Sequence, residues 1–89
     1  MNYTGRWQLL VDHRVEKQLR TFPNQDAQRI LSAIAGLAVN PYSGDVVRMQ
    51  GEEDAWRRRV GAYRIFFEVE PEQKVVHVYD VQRRTSTTY

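Results

Sequence analysis

The run Trp56–Arg57–Arg58–Arg59–Val60–Gly61–Ala62–Tyr63–Arg64–Ile65–Phe66–Phe67–Glu68–Val69–Glu70 decides how this chain folds. Gly61–Ala62 divides it into two segments with strand composition, and a two-residue link of this kind joins neighbouring antiparallel strands. Successive strand residues point to opposite faces. Tyr63, Ile65, Phe67 and Val69 therefore share one face and Arg64, Phe66 and Glu68 the other; Trp56, Arg58 and Val60 oppose Arg57 and Arg59 in the same way. The first face is apolar enough to need a cover. The second carries Arg57, Arg59 and Arg64 and is open to solvent or to a ligand. Arg58 is the awkward member, because alternation sends it toward the covered side, where it must reach an edge, pair with an acid or extend its stem to water.

Downstream, Pro71–Glu72–Gln73 turns the chain into a third strand over Lys74–Val81, so the economical arrangement is an antiparallel meander. Upstream, Trp7, Leu9 and Val11 alternate with Gln8, Leu10 and Asp12 as in a strand with one buried face. The period then changes. Val15, Leu19 and Phe22 lie four and three apart, with Asp12 placed to cap a short helix and Pro23 marking its end. Asn24 can cap a second helix whose Ala27, Ile30, Leu31, Ile34, Leu37 and Ala38 form one stripe, closed by Asn40–Pro41. Tyr42–Asp45 reads as loop, Val46, Val47 and Met49 as a short apolar patch, and Gly51–Asp54 as an acidic turn. Two amphipathic helices need a sheet to cover. The expectation is a single α+β domain over residues 1–89, with two N-terminal helices on one face of an antiparallel sheet in the order β-α-α-β-β-β.

Composition removes many function classes. The 89 residues include 42% hydrophobic and 27% charged, the balance of an ordinary globular domain rather than a disordered chain. There is no cysteine, which excludes disulfides, thiolate zinc sites, iron–sulfur clusters and cysteine nucleophiles. His13 and His77 are the only histidines and lie far apart, so neither a metal site nor a cofactor is expected. No apolar run approaches the ~20 residues that cross a bilayer, and Met1–Arg6 lacks the apolar centre of a signal peptide. A cytoplasmic protein with no membrane partner is expected.

The formal charge of +2 hides an asymmetry. Residues 1–56 hold six Lys/Arg against seven Asp/Glu; residues 57–89 hold seven against four. Arginine outnumbers lysine eleven to two, and guanidinium forks match phosphate oxygens two at a time. The arginines on the open face have two readings: a charged surface that keeps an exposed sheet from aggregating, or guanidinium groups converging on a phosphodiester to stabilise its transition state. Phe66 and Tyr79 would stack on bases if they face outward, although core packing is the commoner fate of such residues.

Met49-x-Gly51 followed by Trp56 to Val69, with the later Arg83–Arg84 and Tyr89, resembles the RelE/ParE superfamily of type II toxin–antitoxin toxins. The pattern there is a leucine, one residue, glycine, then aromatic, Arg, apolar, Arg and Val-Gly-x-Tyr-Arg. The likeness runs through the helical pair to the first strand. Arg58 departs from it, standing in a slot that is usually apolar. The resemblance implies a ribosome-dependent, metal-independent endoribonuclease that cleaves mRNA in the A site, held in check by a cognate antitoxin, which also provides its contact with operator DNA. It implies that Arg57, Arg59 and Arg64 bind the scissile phosphate and stabilise its pentacoordinate state, that Arg83 or Arg84 stands near the leaving 5′-oxygen, and that Tyr89 is the general base. Arg59, Arg64, Arg84 and Tyr89 are thus the expected catalytic residues, and Arg57, Arg59 and Arg83 the RNA-binding ones. Tyrosine has a reference pKa of about 10, so this role depends on guanidinium neighbours that favour the phenolate. The same superfamily also implies two alternatives: a ParE-type inhibitor of DNA gyrase, and an inactive relative that only binds its antitoxin and operator DNA.

Overall fold

The structure, a computed structural model, describes residues 6–51 and 54–84 and the backbone of residues 2–4. Within it the elements run β1 (Asn2–Thr4), β2 (Gln8–Val11), α1 (His13–Thr21), α2 (Asn24–Leu37), β3 (Val46–Arg48), β4 (Ala55–Val60), β5 (Tyr63–Glu70) and β6 (Val75–Arg83). The strands form one sheet in the order β1-β2-β6-β5-β4-β3. Both helices cover the same face of it.

The helices stop and start where local chemistry dictates. Asp12 caps α1, its carboxylate accepting the Arg14 N–H at 3.2 Å, and Pro23 separates the two helices. At the start of α2 the expected cap gives way: Pro23 is the capping position, Asn24 is already helical, and no side chain caps the end. The Pro23 carbonyl accepts the Ala27 N–H at 2.9 Å instead. Val15 and Leu19 of α1, and Ala27, Ile30, Ile34 and Leu37 of α2, are buried against Leu9, Val11, Tyr63, Ile65, Phe67, Val69, Val76, Val78 and Val81 of the sheet. This is one continuous apolar core, whose removal from water is the main favourable contribution to folding.

The sheet is larger than expected and not wholly antiparallel. Val46–Arg48 forms the edge strand β3 on β4, with Val47 opposite Arg57. Three residues with one neighbour leave only a short apolar patch as their trace in sequence. Asn2–Thr4 turns back on β2 to form the other edge. β2 pairs with β6 in parallel, Leu9 opposite Val76 and Val11 opposite Val78, because the chain between them crosses over through both helices and the meander. The meander itself is antiparallel, with Arg59 opposite Arg64 and Arg57 opposite Phe66. Gly61 occupies the first place of its two-residue turn with φ +57°, the left-handed backbone that glycine adopts without a Cβ penalty.

Candidate nucleic-acid interface

Because odd-numbered residues of β5 enter the core, its even-numbered residues, with Arg57 and Arg59 of β4 and His77 and Tyr79 of β6, make up the uncovered face. That face changes character along the strands. At the β4–β5 turn end, Arg57, Arg59, Arg64 and Arg84 line a shallow depression of about 300 Å³ together with Asp45 and Val47. Arg84 lies just beyond β6 and is held there by its N–H, which donates to the Ala62 carbonyl at 2.6 Å. In the middle stand Phe66 and Tyr79, ring centroids 6.4 Å apart, with His77 6.2 Å from Tyr79. At the far end is a second depression of about 330 Å³, lined by Asp12, Asp54, Glu68, Glu70 and His77 among others. His77 Nδ1 lies 3.5 Å from a Glu68 carboxylate oxygen. The two depressions differ in what they attract. Four guanidinium groups draw anions, whereas the carboxylate end repels them.

Asp45 enters the arginine group in a way its loop sequence does not announce. Its carbonyl accepts the Arg59 N–H at 2.9 Å, and its carboxylate lies 3.0 Å from Arg59 Nε. Both side chains remain more than half exposed, at 52% and 58%, so this ion pair is weak and displaceable. Arg58, on the covered side, escapes burial of its charge through the loop after α2. Its Nη1 donates to the Ser43 carbonyl at 3.0 Å, while its Nε is buried without a partner. The guanidinium lies directly over Gly44, whose φ of +87° and missing Cβ make room for it.

Arg83 does not join the arginine depression. It is the cross-strand partner of Tyr63 and follows it to the helix side, its guanidinium carbon 5.9 Å from the centre of the Tyr63 ring. There it lines a separate small depression with Asp26, Arg29 and Tyr63. The Tyr63 hydroxyl donates to Asp26 at 2.8 Å; that hydrogen bond to a carboxylate, with burial, holds the phenol above its ordinary pKa. Tyr63 is thereby tied to the framework as a protonated donor. Tyr89, expected as the general base, lies outside the described residues. Among the described residues, no three His, Asp or Glu side chains come together in a way that could hold a metal ion.

This α+β domain, with a helical pair on one face of its sheet and an arginine-lined depression on the other, has the fold of the RelE-type toxins. The family model for the ParE toxin of type II toxin–antitoxin systems matches residues 5–87, and the chain belongs to that family. Its fold is similar to that of RelE in the archaeal RelE–RelB complex from Pyrococcus horikoshii, with a TM-score of 0.80 at 24% identity over 93% of this chain and 100% of that one. The isolated Escherichia coli RelE toxin superposes with a TM-score of 0.74 at 20% identity, covering 89% of this chain and 85% of that one. A chain of the RelBE2 toxin–antitoxin complex from Mycobacterium tuberculosis gives 0.74 at 19% identity, covering 94% and 100%. No curated protein sequence matches significantly. No helix among the described residues is long and apolar enough to cross a membrane.

Proposed function

We propose that this toxin is a ribosome-dependent endoribonuclease that cleaves mRNA in the A site and is neutralised by a cognate antitoxin bound over the arginine-bearing face. The observation that carries this reading is the convergence of Arg57, Arg59, Arg64 and Arg84 on one depression. A phosphodiester seated there meets fixed positive charge on several sides. As the ribose 2′-oxygen attacks phosphorus, the P–O5′ bond breaks, leaving a 2′,3′-cyclic phosphate and a 5′-hydroxyl. Arg57, Arg59 and Arg64 stabilise the extra charge of the pentacoordinate state, and Arg84 the departing oxygen, which takes its proton from water. The 2′-hydroxyl proton goes to Tyr89 in the role that the family resemblance suggests. The similar folds of toxins solved with RelB partners support an antitoxin for this chain as well.

A second reading, inhibition of DNA gyrase, is favoured by the family model that matches, which is the ParE one. Mapping 5′ ends of cellular mRNA after induction separates the two. Codon-phased breaks support the first reading; intact mRNA with gyrase-linked DNA breaks supports the second. Arg64→Ala is expected to lower cleavage by about 10²–10³, the usual effect of removing one preorganised charge-stabilising donor. Its melting temperature should stay near wild type. An equal loss of stability would make Arg64 a framework residue instead.

A further inference from the structure

The uncovered face carries an aromatic pair that the phosphate chemistry leaves unused. Phe66 and Tyr79 stand on the two central strands, both half-buried, on the side away from the helical core. Phe66 is the cross-strand partner of Arg57 and lies two residues along β5 from Arg64. Its ring therefore begins one strand spacing, about 4.8 Å, from the arginine row. On the other side of the rings come Glu68 and His77, cross-strand partners of each other, and then Glu70. The order along the face is cation, π-surface, carboxylate.

This order has a direction for a single-stranded nucleic acid. A phosphate is held at the arginine end and repelled at the carboxylate end, so the backbone stays on the arginine side. What can extend over the middle is the uncharged part of a nucleotide. Every base has a π-face, and stacking on an aromatic side chain is the sequence-tolerant way such a base is held. The two rings are inclined by 39°, so they form a tilted platform rather than one plane. A base lying on Phe66 meets Tyr79 along one edge.

We propose that Phe66 and Tyr79 form a nucleobase-stacking subsite for a nucleotide adjoining the phosphate held by Arg57, Arg59 and Arg64. The subsite rests on the RNA-cleaving reading and adds to it the chemical group that sets the strand's position. A segment of a protein partner would also cover an aromatic patch, but a carboxylate row beside it matches the backbone path of RNA by exclusion.

The test uses the whole toxin with programmed ribosomes carrying mRNA that has 2-aminopurine at one A-site position, a base whose fluorescence falls on stacking. Toxin binding should quench it at one position. Phe66→Leu, which keeps an apolar side chain on β5, should abolish the quench and raise KM by about 5–150-fold, the loss of one stacked base. Phe66→Trp should restore both. An mRNA with an abasic nucleotide at the quenched position should lose affinity for the wild type but not for Phe66→Leu. Cleavage by the wild type with no quench at any position, or equal affinity for intact and abasic mRNA, would overturn the subsite and leave the nuclease reading standing. Weaker antitoxin binding by Phe66→Leu with unchanged RNA parameters would also overturn it and assign the patch to a protein contact. A wild type that neither binds nor cleaves the mRNA would remove the nuclease reading and the subsite together.

Discussion

Asp45→Asn tests whether the arginine depression is an anion site held partly occupied by the protein's own carboxylate. In the wild type the Asp45 carboxylate lies 3.0 Å from Arg59 Nε, with both groups more than half exposed. Exposed ion pairs of this kind are worth about 0.2–1 kcal/mol. A phosphate that takes Arg59 must displace that interaction and also approach a fixed negative charge, whose repulsion in water is about 1 kcal/mol at 4 Å and less farther away. Asparagine keeps the backbone carbonyl that accepts the Arg59 N–H at 2.9 Å, so the loop stays tied to β4. The substitution should tighten binding of single-stranded RNA about two- to tenfold at low salt, since 1.4 kcal/mol is a factor of ten. One more guanidinium would then be free for phosphate, steepening the slope of log affinity against log salt by about 0.7. Fluorescence anisotropy of a labelled oligoribonucleotide across a salt series measures both. Weaker binding, or an unchanged salt slope, would refute the competition and make Asp45 a residue that orients Arg59 for its ligand.

Two stability predictions come from groups outside the depression. Gly44→Ala should destabilise the fold by about 1–3 kcal/mol in a denaturant titration, because residue 44 has a left-handed φ of +87° and the new Cβ would occupy the place of the Arg58 guanidinium; a variant as stable as wild type would mean that Arg58 and its loop are not fixed in this arrangement. Asp80 is pushed upward in pKa by burial, but hydrogen bonds from Gln18 and Gln82, the Arg14 guanidinium and the Val81 N–H outweigh that and hold it below the usual 3.8. A carboxylate depressed on folding stabilises the fold fully above its unfolded pKa and loses that contribution as pH falls through the folded one. Asp80→Asn should therefore flatten the decline of melting temperature below about pH 4, and a parallel decline in both proteins would exclude Asp80 as its source.

Much of this molecule is legible from side-chain period alone. Tyr63, Ile65, Phe67 and Val69 alternate without interruption in the sequence, and all four are at most 5% exposed in the fold. The same alternation brings Arg57, Arg59 and Arg64 to the opposite face, where they line one depression. Period fails where an element is too short to have one. β3 has three residues, and its hydrogen bonds to β4 are what make it a strand. Asp45 is invisible for a related reason: a loop aspartate reads as solvated, and only β3's pairing with β4 brings it beside Arg59. The fate of Arg58 was open among an edge, an acid and water; the edge won, because glycine at position 44 lets a guanidinium lie against the backbone.

Whether Arg83 or Arg84 faces the other arginines depends on a register shift between β5 and β6. Counting alternately from Val76 and Val78, which are buried under the helices, sends residue 83 to the open face and residue 84 to the covered one. The ladder breaks that count. Phe66 is opposite Asp80 but Phe67 is opposite Val78, so Tyr79 is an extra residue, and every side chain after it changes face. Val81 is consequently buried, Arg83 follows Tyr63 to the helix side, and Arg84 arrives beside Arg57, Arg59 and Arg64. The bulge has its own support from outside the sheet. β2 pairs with β6 only as far as Val78, and beyond that point Gln18 of α1 takes over the strand edge, accepting the Val81 N–H at 3.0 Å and donating to the Asp80 carboxylate at 2.7 Å. A helix residue 66 positions before Arg84 thus helps to hold the register that puts this arginine on the RNA-facing side of the proposed enzyme. The same extra residue is Tyr79, so one bulge both turns Arg84 toward the depression and supplies half of the aromatic platform next to it.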